Sequence, residues 1–148
     1  MTPPRKRGET PELTPNQLVA ANLSRARALR GWTQEDAARR LQPYLGQRWS
    51  RASFSAAERS VEHPDKQKQF SADELVALAA TFELPVSFFL NPIPGRYLIR
   101  NRNADKRLDV GQVARMVGHR PDERERALIE QRIAEQRREL EGGPNGTG

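Results

Sequence analysis

The 148-residue sequence contains no cysteine and only two histidines, His63 and His119. The first absence excludes a disulfide framework, a thiol nucleophile and a cysteine zinc site, and two imidazoles alone cannot close a metal site. No cofactor or metal is expected. No run approaches the roughly 18 apolar residues that cross a bilayer. The opening "MTPPRKRGET" also lacks the apolar stretch of a secretory signal. No membrane contact is expected, and the setting reads as cytoplasmic. Aromatic residues make up 6% and hydrophobic residues 36%, with a mean hydropathy of -0.83. That is too little apolar surface to offset ordering entropy along the whole chain, so one domain with tails is expected. Paired carboxylates, a Ser/His/Asp grouping and a Gly-rich phosphate loop are all missing, and no enzymatic activity is expected.

What the chain has is positive charge. The net charge is +6 and the sequence pI about 10.4, a balance that attracts polyanions such as nucleic acid or an anionic surface. Residues 25–68 hold ten Lys or Arg against five acids, a surplus of five where the whole chain has six. Residues 1–14 read as a flexible basic arm. Its Arg5, Lys6 and Arg7 either track a phosphate backbone or are simply solvated.

From Asn16 the pattern is helical. Leu18, Val19, Leu23, Ala26 and Leu29 or Arg30 fall near one face, with Thr14 as cap, Pro15 in the first turn and Gly31 as the stop. Thr33 caps a second helix whose first turn holds Gln34, Glu35 and Asp36, where the positive dipole end favours acids, and Leu41 and Pro43 close it. Pro43 and Gly46 mark residues 42–48 as a connection. Ser50 caps a third helix with Trp49, Phe54 and Ala57 inward. Ser71 and Glu74 form a capping box ahead of Leu75, Leu78, Ala79 and Phe82. Pro85 opens a short fifth turn whose Phe88, Phe89 and Leu90 lie as a lid on the core. Beyond residue 94, Val110, Val113 and Val117 predict a short amphipathic helix. The stretch "PDERERALIEQRIAEQRREL" predicts a longer one with Ile129, Ile133, Gln136 and Leu140 at 4, 3, 4 spacing.

Three stretches carry a family resemblance. The "R-x-x-x-GWTQEDAA" of Arg27 to Ala38, the Ser-Arg-x-x-Phe-x-x-x-Glu of Ser50 to Glu58 and "ADELVALAATFELPVSFFL" of Ala72 to Leu90 together resemble the phage-repressor-like (Cro and Xre) helix-turn-helix regulators, over roughly Val19 to Pro92. The resemblance implies an all-α, five-helix lambda-repressor-like DNA-binding domain at 15–94. A helical extension at 95–141 and a disordered tail at 142–148 would follow it. It implies a sequence-specific double-stranded DNA-binding transcriptional regulator whose helix 50–59 reads the major groove, which admits an α-helix. Arg51, Ala52, Ser53 and Ala56 would face bases, Arg51 gripping guanine and the alanines touching thymine methyls. Gln34 and Thr33 at the start of the second helix, with Ser55, Arg59 and Arg48, would hold phosphates. Arg27 and Glu58 would form a structural ion pair. Lys66 and Lys68 suit backbone contacts or plain solvation.

Two departures from the family pattern matter. Ala52 and Ala56 replace the long polar side chains usual on the reading helix, and the stretch between Ala38 and Glu58 is about six residues longer than usual, near Gln42 to Arg48. The excess leaves Tyr44 and Leu45 to pack against the bundle, or Arg48 to reach a phosphate. A homodimer, or an unidentified protein partner, is expected through the C-terminal helix. The alternative is an antitoxin-like or adaptor protein-interaction module that retains the bundle but not base reading.

Overall fold

The structure, a computed structural model, describes residues 10–63, 67–118 and 123–142. Arg5, Lys6, Arg7, Lys66, His119 and residues 143–148 of the tail lie outside the described residues. The elements run β1 (Glu12–Leu13), α1 (Pro15–Arg30), α2 (Gln34–Leu45), α3 (Arg51–Arg59), α4 (Ala72–Phe82) and α5 (Val86–Leu90). After them come β2 (Leu98–Ile99), β3 (Leu108–Asp109), α6 (Val110–Val117) and α7 (Glu123–Glu141). The fold is thus mostly helical with one small sheet. No described helix is long and apolar enough to cross a membrane.

The helix starts follow from their caps. Thr14, Thr33, Ser50 and Ser71 each accept a bond from the amide three residues on, which satisfies one of the amides that every helix start leaves without an acceptor. The backbone amides of Thr14, Thr33 and Ser71 in turn donate to the side chains of Gln17, Asp36 and Glu74, and Asp109 and Gln112 exchange the same two bonds at α6, so these four helices open on a full capping box. Gly31 stops α1 in the left-handed conformation at φ +69°.

Residues Val19, Leu23, Ala26, Ala37, Ala38, Leu41, Trp49, Phe54, Ala57, Ala77, Leu78, Phe82 and Phe89 form the main core between α1 and α5. Small Ala37 and Ala38 let α2 approach its neighbours closely, and α2 packs on both α3 and α4. Phe89 is fully buried with Phe88 and Leu90 partly so, which gives α5 its place against α1 and α4. Of the two candidates for the last turn of the inward face, Leu29 is exposed and Arg30 takes the place, its Nε donating to the Phe82 carbonyl of α4 at 2.9 Å.

The strands were not expected. β1 pairs in parallel with β2, Glu12 opposite Leu98, and β2 pairs antiparallel with β3, Leu98 opposite Asp109. Glu12 and Leu13, read as part of an arm, are therefore an edge strand, fixed by Glu12 on Arg100 at 3.0 Å and Arg107 at 2.5 Å. Beneath the sheet lies a second core of Leu18, Tyr97, Ile99 and Val113, with Val110 and Val117 beside it. The compact unit accordingly continues past residue 94 to Gly118, and α6 belongs to it rather than to an extension. Two-residue strands carry no alternation to read, so only their partners reveal them. α7 lies in a separate unit starting at residue 119.

Candidate nucleic-acid interface

α3 is nine residues long and its two faces differ sharply. Phe54, Ala57 and Glu58 point inward, whereas Arg51, Ala52, Ser53, Ala56 and Arg59 are exposed and Ser55 is half-buried. The i, i+3, i+4 spacing of a helix puts 54, 57 and 58 on one side and 52, 56 and 59 on the other. Ser50 caps the helix at 3.0 Å from the Ser53 amide and also donates its hydroxyl proton to Ser53 Oγ. Ser53 is thus tied to the cap as well as exposed. Arg51 and Arg59 have no acidic partner among the described residues, so their charge faces solvent unneutralised.

The inner end of α3 is anchored by one carboxylate. Glu58, only 5% exposed, accepts Arg27 Nε at 2.6 Å and Arg27 Nη2 at 3.1 Å, a bidentate grip between α3 and α1. Ser24 Oγ donates to its second oxygen at 2.5 Å and Gln34 Nε2 to its first at 3.3 Å. Arg27 also donates to the Trp32 carbonyl at 3.1 Å. The structure therefore brings together Arg27, Glu58 and Gln34, tying α3 to α1 and to the start of α2. Ser24 was missed by sequence reasoning, although it precedes Arg27 by three residues on the same helical face, and that spacing was the available signal.

The start of α2 is more acidic than a phosphate site would choose. Thr33 Oγ1 accepts the Asp36 amide at 3.0 Å, and the Thr33 amide donates to Asp36 Oδ2 at 3.3 Å, so Thr33 is spent on the cap. The Asp36 carboxyl lies below its ordinary range, first through its bonds from Thr33 and then through Arg39 and Arg40. What remains for an anion are the amides of Gln34 and Glu35, which have no intrahelical acceptor. Gln34 is half-buried with its amide nitrogen turned to Glu58.

The α2–α3 connection is shorter than expected. α2 continues through Pro43 to Leu45, and Gly46 stops it at φ +80°. Pro43 forgoes the bond to the Arg39 carbonyl, but the extra turn carries Leu45 onto the core. Most of the additional sequence is thereby absorbed as helix. Tyr44 is 60% exposed and does not help lock α3. That role falls to Leu45 and to Trp49, which meets Phe54 edge-on at 6.0 Å. Arg48 is exposed, beside a cleft of about 310 Å³ lined by Glu35, Ala38, Arg48, Trp49, Ser50 and Arg51.

One other residue stands differently from its sequence reading. Lys68 is half-buried and committed to partners, 2.8 Å from Glu74 and over the Trp49 ring at 4.8 Å, rather than standing free for a nucleic-acid backbone. Trp32, partly buried, stacks on Phe82 at 5.2 Å with Arg40 over its ring, at the margin of the core. His63 is exposed, and no group of three or more His, Asp or Glu residues among the described residues could hold a metal ion. The chain matches no family model, no curated protein and no solved structure.

Proposed function

We propose that the protein is a sequence-specific double-stranded DNA-binding transcriptional regulator with a lambda-repressor-like bundle made of α1 to α5. The observation that carries the reading is the two-faced α3: its buried side is clamped through Glu58 to two other helices, while Arg59 on its outer side and Arg51 at its exposed first turn have no acidic partner among the described residues. A rigid helix with a free cationic face is what the major groove admits. Arg51 grips a base edge, Ala52 and Ala56 lie against thymine methyls, and Ser53, half engaged by Ser50, adds one further donor. Arg48, Arg59 and Ser55 hold phosphates, as does the Gln34 backbone amide at the α2 start. Thr33 contributes through the cap rather than by direct contact. The protein is not an enzyme in this reading, and it works in the cytoplasm as a dimer, because one short helix reads too few bases for operator-level selectivity.

A second reading, an adaptor or antitoxin-like module, is favoured by Ala52 and Ala56, which offer no hydrogen bond to a base, and by Glu35 and Asp36 beside the proposed phosphate site. Mobility shifts against genomic fragments at two salt concentrations separate the two. Arg51→Ala should lose selectivity by about 10- to 100-fold. Arg59→Ala should weaken every fragment alike and lower the salt slope by about one. Equal and weak binding of parent and both variants to all fragments would replace the regulator with the adaptor.

A further inference from the structure

α7 is a 19-residue helix whose apolar Leu128, Ile133 and Leu140 are 57%, 45% and 83% exposed. Such a helix draws little stability from propensity alone and gains most from whatever covers its apolar positions. In the sequence, positions 129, 133, 136 and 140 follow the d, a, d, a spacing of a coiled coil. Glu130 and Arg137 then take e positions and Arg132 and Glu139 take g positions, beside the seam. These four charges discriminate between orientations.

In a parallel pair each g residue faces the following e residue of the other chain, so Arg132 would meet Arg137 of the second copy, twice by symmetry. In an antiparallel pair g faces g and e faces e. With residue 133 opposite residue 136, Glu130 meets Arg137 and Arg132 meets Glu139, and all four contacts are attractive. We propose that α7 is the docking surface for a second copy of this chain, joined antiparallel with Ile133 of each copy over Gln136 of the other. Gln136 in the two central layers sets orientation and register at a cost in strength, so the association is reversible and concentration-dependent. The proposal stands independently of DNA binding.

The thiol-free chain makes the test clean. Sedimentation equilibrium of the unaltered protein should show a monomer–dimer equilibrium. Arg132→Glu should lose the dimer, and Arg132→Glu with Glu139→Arg should recover it. Ile133→Cys and Gln136→Cys, oxidised as a mixture, should give the mixed disulfide in preference to either self-pair. A monomer at every concentration, self-paired disulfides, or a dimer that Arg132→Glu leaves intact or tightens would each overturn the proposal.

Discussion

Glu58 accepts bonds from three side chains on two other helices while itself almost fully buried, so removing it strands Arg27, Ser24 and Gln34 together. Glu58→Ala is expected to cost about 2–4 kcal/mol, at the lower end of what breaking a buried pair costs because Arg27 keeps 26% exposure. Urea unfolding of the variant beside the parent measures this, and Ser24→Ala should cost only about 1 kcal/mol. Glu74 offers a pH counterpart. Burial, the largest influence on its carboxyl, pushes it up, but Lys68 and the Ser71 bonds together hold it below its ordinary value. A lowered carboxyl stabilises the fold at pH above its unfolded value and loses that contribution as pH falls through the folded value. Acid unfolding of Glu74→Gln should therefore begin from a lower stability at neutral pH and show a shallower decline below about pH 4.5. The Arg27–Glu58 pair was legible from the family-like spacing. The commitment of Lys68 was not, because its partners Trp49 and Glu74 are brought to it only by the tertiary fold.

At the scale of elements, caps were the most legible feature and the α2 terminus the least. Thr33, Ser50 and Ser71 mark their helix starts by local chemistry alone. Pro43 reads as a terminator by the same local rule, yet the helix passes it because Leu45 gains a place in the core. Pro43→Ala restores the missing backbone bond and should raise the thermal midpoint. Gly46→Ala should lower stability by about 1 kcal/mol, from backbone strain alone, since a Cβ there meets nothing within 4 Å. Differential scanning calorimetry of the two variants reads both signs in one series. The three strands stayed hidden for the opposite reason: their two-residue lengths carry no period, and their stability comes from Leu18, Ile99 and Val113 beneath them.

Across the whole molecule, most of the surplus of positive charge lies in the segment that contains α2 and α3, so the proposed DNA binding should weaken steeply with salt, by about one unit of log slope for each phosphate neutralised. Binding isotherms over a salt series measure it. The two cores share α1, which sends Leu18 toward the sheet and Val19, Leu23 and Ala26 toward the bundle. Ile99→Ala, deep under the sheet, should therefore shift the unfolding midpoint followed by Trp32 and Trp49, both of which belong to the other core. Two separate transitions, or an unchanged fluorescence midpoint, would mean the cores melt apart.

The same α1 bears Ser24 and Arg27 on the side toward α3. Damage to the small terminal strand consequently travels through a common wall to the arginine that aims the outward-facing helix. Losing β1 is thus a change in the set of the outward-facing helix, even though no atom of that helix has been altered.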